Sequence, residues 1–356
     1  IRRPPRSTRK ESSAASDVYK RQGLDQWMRD AGLRYAVLDG HGLLHARPRP
    51  RYGVYAPICS RNGVAFFGRD SEATLPVWSA RDGYPGHSSY REFHRDLGWD
   101  LPLEDLKPLG LDQPRPLGLK LHAVTNHNAP LDAKQPYSPV VAAEQVRLHA
   151  GHYLQGRRIQ LEQLKQAMVA DPLLVAPFDA ELFGHWWFEG PAFLTELFRQ
   201  APDQGISFTR LRDVLKQAGQ LQLCDPCPSS WGQGGLHNYW LNDTNAWIVP
   251  EWEKASAAMV ERCSRGVGRE KDLELLQQAA RELLLAQSSD WSFILRAGTT
   301  TELARERVKR HLGRFWLLIQ AIETGDELPK NWIKEVQQDD RLFPLIQPLD
   351  WAQVGS

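Results

Sequence analysis

Residues 173–191 read LLVAPFDAELFGHWWFEGP, the densest run of apolar, acidic and aromatic side chains in the chain. Leu173–Phe178 has the length and continuous apolar character of a strand buried on both faces, although Pro177 near its end cannot donate to a sheet ladder. A strand running into Asp179 places a carboxylate at the carboxyl edge of a sheet, where α/β barrels keep their active sites. Asp179 and Glu181, two apart in an extended chain, share one face. Beside an aromatic wall such an acid is desolvated, which favours the protonated form that a general acid needs. The same residues also fit a plainer arrangement, with Asp179 capping the next helix and Trp186 and Trp187 in the core.

Working outward, Leu24–Ala31 reads as a short helix and Arg34–Asp39 (RYAVLD) as a strand reached through Gly32, a helix-to-strand step of an α/β unit. Val64–Phe67 and Leu119–Val124 are two further strands. Ser138-Pro139 offers an N-cap and a proline at the first helical position, opening a helix to about Met168. Strands separated by helices or long loops predict a parallel sheet or part of a barrel. The connections 40–63 and 70–117 are rich in Pro, Gly, Arg and aromatics, and loops of that length are usually functional. After about Leu223 the pattern becomes helical. Lys271–Gln287 and Thr301–Glu323 carry apolar residues at three- and four-residue spacing, the second closing at Gly325. The charged face of Thr301–Glu323 reads as a solvated helix surface. The tail 330–356 is expected to wrap the surface.

The 356 residues are 42% apolar with 44 Lys+Arg against 43 Asp+Glu, enough for two ordinary domains and too balanced for a surface that tracks nucleic acid. No apolar stretch approaches the roughly 18–20 residues that cross a bilayer, so a soluble protein without a membrane partner is expected. Four cysteines are too few for a disulfide framework, and a reducing cytoplasm fits better. Cys224 and Cys227 form a CxxC without a second ligand pair, while Cys59 and Cys263 are isolated; loop thiols are expected rather than a metal or redox site. His127, His149 and His152 have no acid partner at matching spacing, so no metal is assigned to them. Thirteen Trp against three Met is unusual, and suggests that some indoles lie in a groove and stack on sugar rings.

Residues 1–22, IRRPPRSTRKESSAASDVYKRQ, hold seven basic and two acidic residues, a Ser-rich middle and no apolar periodicity, so they are expected to bury no face. There is no apolar core of a secretory signal. The string is similar to sequencing-adapter read-through and is read as an artefact, with the natural protein beginning upstream of Gly23. Without it the remaining residues carry 37 basic and 41 acidic side chains, a net of −4.

FDAELFGHWWFEGP (178–191) resembles the segment that carries the catalytic acid in glycoside hydrolase family 57, in particular its 1,4-α-glucan branching enzymes. The resemblance extends through AGLRYAVLDGHGLL (31–44), PRPRYGVYAPI (48–58), VAFFGRD (64–70), VWSARDGYPGHSSYREFHRDLGWD (77–100) and PSSWGQGGLHNYWLNDTNAW (228–247). It implies a partial (β/α)7-type barrel over 23–222, followed by an all-α C-terminal domain over 223–356. It also implies a retaining enzyme with two carboxylates, acting on α-glucan in the cytoplasm with no cofactor and no metal. Asp179 takes the acid/base role by this resemblance. The family's nucleophile is a Glu just upstream of the turn that here reads Gly23-Leu24. Asp17 lies near that offset, but its surroundings match nothing in the family motif and its side chain is one carbon shorter. The chain from Gly23 is therefore expected to show no branching of amylose by itself.

Trp231 and Trp240 match glucan-contacting tryptophans of the family's branching enzymes, and Gly232, Gly234 and Gly235 suit a loop close to a ligand. The other reading is that both indoles staple a helical domain to the barrel. Trp78 and Trp99, in the long aromatic loops, are candidates for lining the groove. Arg69, past a strand end, either orients a sugar hydroxyl or the nucleophile or pairs with an acid such as Asp70. An α-amylase or 4-α-glucanotransferase of the same family, and a non-catalytic glucan-binding protein, are the alternatives. Oligomeric state is not legible.

Overall fold

A computed structural model describes residues 14–15, 23–126, 128–232, 234–266 and 268–352. The protein is mixed α/β, rich in helix with few and short strands: β1 (Ala14–Ala15), β2 (Tyr35–Leu38), β3 (Ile58–Cys59), β4 (Ala65–Gly68) and β5 (Gln222–Leu223). It divides into two compact units. One comprises residues 1–39, 62–64 and 227–356, the other 40–61 and 65–226.

In the unit made of 40–61 and 65–226, β3 pairs antiparallel with β4 (Ile58↔Phe66) and parallel with β5 (Ile58↔Gln222). The ladder here is thus mixed, where strands joined by crossovers predicted parallel pairing. The remainder consists of helices and irregular segments and is dominated by Pro139–Ala167, whose N-cap Ser138 accepts from the Val141 N–H. Gly151 and Gly156 do not interrupt it. Its Ala142, Val146, Ala150 and Leu154 form a core with Phe193 and Leu197 of helix Gly190–Gln200, and with Tyr90 and Trp187.

Two expected strands are absent. Leu119–Val124 is irregular, joined to its neighbours by single bridges (Arg91↔Ala123, His122↔Pro136). Leu173–Phe178 is also irregular. Leu173 donates to the Tyr55 carbonyl at 2.9 Å and Val175 accepts from the Asp70 N–H at 2.8 Å, while Pro172 and Pro177 remove two of the donors a ladder needs. Val175 is buried and its neighbours only partly so. The stretch 70–117 is not all loop: it contains helix Ser71–Trp78, capped by Asp70 through the Glu72 N–H at 3.1 Å.

In the other unit, β1 pairs parallel with β2 (Ala14↔Ala36), so two leader residues do add to a strand edge, which offers free N–H and C=O groups to any extended backbone. Helix Leu24–Asp30 precedes β2. Helices Ile248–Ser264, Glu270–Ala286, Ser289–Ala297, Thr301–Thr324 and Lys330–Asp339 enclose a core that includes Met259, Leu276, Leu283, Phe315 and Leu318. The tail does not merely wrap this unit: it forms Lys330–Asp339, and Ile346 and Trp351 enter the core. Part of the tryptophan surplus belongs here too. Trp291 and Trp252 donate to the carbonyls of Leu285 and Ala286, both at 2.7 Å, adding side-chain donors to the last turn of Glu270–Ala286. The four cysteines are unbridged; Cys59 lies in β3 rather than a loop, and Cys263 is buried in helix Ile248–Ser264, which raises its thiol to about 11. No helix among the described residues is long and apolar enough to cross a membrane.

Candidate functional site

Asp179 ends the irregular segment and opens a tight turn. Leu182 donates to its carbonyl at 3.1 Å, the Glu181 carbonyl accepts from His185 (3.2 Å) and Trp186 (3.0 Å), and Trp187 donates to Leu182 at 2.8 Å. Gly184 takes φ 107°, a left-handed conformation suited to glycine. The Asp179 side chain caps nothing; it is exposed, and its Oδ2 accepts a hydrogen bond from Nε1 of Trp78 at 3.3 Å. The expectation of a desolvated carboxyl is corrected accordingly, because the turn lifts the acid out of the apolar segment instead of ending a strand inside a wall. Glu181 is exposed as well.

Trp78 is placed by the long helix. Three residues on one face of Pro139–Ala167 hold the helix that carries it: Tyr153 donates to the Ala73 carbonyl (3.0 Å), Arg157 to Glu72 (2.9 Å) and Gln160 to Asp70 (2.9 Å). Trp78 itself is 55% exposed, an indole with its N–H on the acid and much of its ring open to solvent.

The two tryptophans of the HWW run differ. Trp187 is buried to 2% exposure among Tyr90, Phe183 and Phe193, whereas Trp186 is 55% exposed. Trp99 is exposed on the short helix Leu97–Asp100 and makes no hydrogen bond to the Asp179–Trp78 pair among the described residues. That helix is tied by Asp96, which accepts from the N–H groups of Gly98, Leu117 and Gly118, each at 2.9 Å, and lies 3.2 Å from Lys120. Arg69 follows β4 and is partly buried; the carboxylate of Asp70 is taken up by Glu72 and Gln160.

Trp231 and Trp240 fall in the other unit, within a loop of their own. His237 donates to Ser230 Oγ (2.8 Å) and Ser230 to the Gly235 carbonyl (2.9 Å). Gly232 takes φ 87°, a left-handed conformation that favours glycine, with the Tyr239 and Trp240 rings within ordinary contact distance. Asn245, fully buried, donates to the carbonyls of Tyr239 (2.9 Å) and Ser292 (3.0 Å), and its Oδ1 accepts from Asn242 N at 2.8 Å. Both tryptophans are half-buried.

The histidines are engaged by hydrogen bonds. His149 Nδ1 meets the Tyr90 hydroxyl at 2.8 Å and its Nε2 meets Gln145 at 2.9 Å; His152 Nδ1 meets the Tyr84 hydroxyl at 2.7 Å. Burial, with His87 and His152 nearby, lowers His149 to about 4. They line a cavity of about 570 Å³ together with Arg81, Asp82 and Tyr84. His127 and Asp17 lie outside the described residues. A His and two carboxylates do meet in the helical unit, where Glu282, His311 and Asp340 bring their donor atoms within 4.8 Å of one another. Hydrogen bonds already use them: His311 to Glu282 at 2.7 Å, Gln278 to Glu282 at 2.9 Å and Arg314 to Asp340 at 2.6 Å.

Residues 251–351 match the family model for the C-terminal region of 1,4-alpha-glucan branching enzymes. The chain is 29% identical over 344 residues to the 1,4-alpha-glucan branching enzyme TK1436 of Thermococcus kodakarensis, covering 91% of this chain and 48% of that one. Among solved structures it is similar to the GH57-type branching enzyme of Pyrococcus horikoshii (30% identity, TM-score 0.82, 93% of this chain and 59% of that one).

The chain is related to the branching enzymes of glycoside hydrolase family 57.

It is also similar to the alpha-amylase AmyC of Thermotoga maritima (34% identity, TM-score 0.84, 95% of this chain and 64% of that one). The chain spans about half the length of the curated branching enzymes it matches.

Two features of this branching-enzyme relative escape a reading by residue type. Glu189, buried at the end of the aromatic run, accepts from the Arg91 N–H at 3.0 Å, while the Arg91 guanidinium lies 3.5 Å over the Phe188 ring. Glu92 and Lys134 form a buried pair at 3.2 Å, with the ammonium also donating to the carbonyls of Val124 and Asn126. Each joins segments far apart in sequence, so spacing carries no sign of them. Burial opposes charge on Glu92, but the His94 N–H and Lys134 outweigh it and hold its carboxyl below the ordinary range.

Proposed function

We propose that this chain contributes the acid/base half of a retaining 1,4-α-glucan branching enzyme. The observation that carries this is the exposed carboxylate of Asp179, set on a tight turn with the Trp78 indole N–H on one oxygen. An exposed acid can reach the oxygen of a glycosidic bond, and a flat indole beside it suits a sugar ring. In this reading Asp179 protonates the oxygen leaving a cleaved α-1,4 bond. It then takes the proton from the 6-hydroxyl of an acceptor glucan, closing an α-1,6 branch. The partner carboxylate, the nucleophile, is expected N-terminal to Gly23.

Trp231, Trp240 and Trp78 are the proposed sugar-contacting planes, with Trp99 and Arg69 as outer candidates. Residues 23–222 are read as the C-terminal portion of a (β/α)7-type barrel and 223–356 as its helical domain; residues 1–22 are read as foreign to both. The site of action is the cytoplasm, the macromolecular partner is α-glucan, and the chemistry calls for no cofactor. The similarity to AmyC supports a second reading, in which water replaces the acceptor and the outcome is hydrolysis.

The test is a fusion of this chain to the N-terminal half of a family 57 branching enzyme. Incubated with amylose, the fusion is expected to yield side chains released by a debranching enzyme, and Asp179→Asn to lower that yield at least a hundredfold. Reducing ends without α-1,6 linkages would favour the amylase reading. Unchanged branching in Asp179→Asn would remove Asp179 from the reaction.

A further inference from the structure

We infer that the outward face of Trp186, backed by Phe93, is an additional platform for an α-1,4-linked glucan chain. The inference rests on the reading of Asp179 as part of a glucan-processing site.

The turn that follows Asp179 directs two adjacent indoles to opposite fates. Trp187 is in the core, and Trp186 is 55% exposed. A large apolar ring left in water forgoes most of what burial would contribute, yet this one packs against its neighbours. Phe93 stacks on it with centroids 4.6 Å apart and planes 30° from parallel. His185 packs edge-on to both rings, at 5.0 Å from Trp186 and 5.6 Å from Phe93, and His94 packs edge-on to Phe93 at 5.1 Å. The Lys120 ammonium lies 5.7 Å from the centre of the Phe93 ring and is itself anchored on Asp96. One face of the indole is therefore covered, and the other is presented to solvent in a fixed orientation. Its Nε1 has no hydrogen-bond partner among the described residues.

The chemistry of this patch fits a hexose ring. The apolar C–H face of a pyranose lies flat on an indole, and its hydroxyls point to the rim, where the exposed imidazoles of His185 and His94 and the indole N–H can exchange hydrogen bonds. The aromatic plane is ordered before the ligand arrives, so little conformational freedom is lost on binding. The occupant is taken to be the substrate chain because Trp186 stands on the same short turn as the acid: two backbone hydrogen bonds, Leu182 N to Asp179 O and Trp187 N to Leu182 O, tie that turn to Asp179.

Calorimetric titration of the full 356-residue chain with maltoheptaose tests this. Trp186→Ala is expected to weaken binding about three- to tenfold, the range of a single aromatic stacking contact. Its thermal midpoint is expected to stay within about 2 °C of the parent, as for a surface change. Phe93→Leu, which removes the backing ring but keeps the indole, is expected to weaken binding in the same direction by a smaller factor. Trp78→Ala serves as the reference for the site beside Asp179. Parent-like affinity in both Trp186→Ala and Phe93→Leu, with Trp78→Ala weakened, would overturn the platform and leave the reading of Asp179 standing. Failure of the parent chain to bind maltoheptaose would overturn both.

Discussion

At the scale of single residues, neighbours in the HWW run have opposite energetics. Replacing Trp187 by Ala removes a fully enclosed ring from between Tyr90 and Phe193 and is expected to cost about 3–5 kcal/mol, read as a lower urea midpoint. Trp186→Ala in the same assay is expected to stay within about 0.5 kcal/mol of the parent. The candidate acid could be singled out from the sequence, since an apolar run ending in Asp179 and followed by paired aromatics is a local pattern. Its exposure was not, because that depends on a turn closed by the Glu181 and Leu182 carbonyls, which no residue type announces. His149 supplies a pH test at this scale. Its proton affinity is lowered in the folded state to about 4, so between the ordinary value of about 6.5 and about 4 the unfolded chain binds the extra proton. Stability is therefore fully present above about pH 6.5 and falls as pH drops through that window. Denaturant titrations are expected to show a shallower fall for His149→Gln, which keeps hydrogen-bonding groups facing Tyr90 and Gln145 but cannot take up a proton.

At the scale of elements, the helix Ser71–Trp78 is held by Tyr153, Arg157 and Gln160, so its aim is set by another helix some eighty residues away in sequence. Asp70→Ala removes both its cap and the acceptor for Gln160. A loss of about 1–2 kcal/mol is expected, together with weaker maltoheptaose binding because Trp78 is no longer held in place. The short helix bearing Trp99 depends on Asp96 in the same way. Burial alone would disfavour that carboxylate's charge, but the N–H groups of Leu117, Gly98 and Gly118 and the Lys120 ammonium outweigh it and hold its pKa below the usual value. A group shifted in that direction stabilises fully above about pH 4 and loses its effect as pH falls through its lowered folded value. Asp96→Asn is expected to be less stable at pH 7 and to show a flatter decline below pH 4. Helices with a cap and a full amphipathic period, such as Pro139–Ala167 and Thr301–Thr324, were readable to within a few residues. The segments Leu119–Val124 and Leu173–Phe178 were not, because a short apolar run looks the same whether its hydrogen bonds form a ladder or reach single carbonyls such as that of Tyr55.

At the scale of the molecule, the two units have separate cores and separate vulnerabilities. In the helical unit, Glu282 is buried against His311 with Gln278 on its other oxygen, and burial raises its proton affinity. His311→Leu leaves that enclosed carboxyl without its imidazole hydrogen-bond partner and is expected to cost about 1–3 kcal/mol. The loss is expected within the unit containing Thr301–Thr324 while the core around Trp187 stays protected, which hydrogen exchange can resolve. The order of the chain adds a constraint on timing. Helix Leu24–Asp30 and strand Tyr35–Leu38 belong to a unit whose other large part begins at Cys227. On a ribosome adding about 5–20 residues per second, those first elements emerge and then wait on the order of 10–40 s for roughly 190 further residues before their own core begins to appear. At the end of that interval the intervening unit has all of its chain, before most of residues 227–356 have been made, so synthesis itself favours closing that unit's core first.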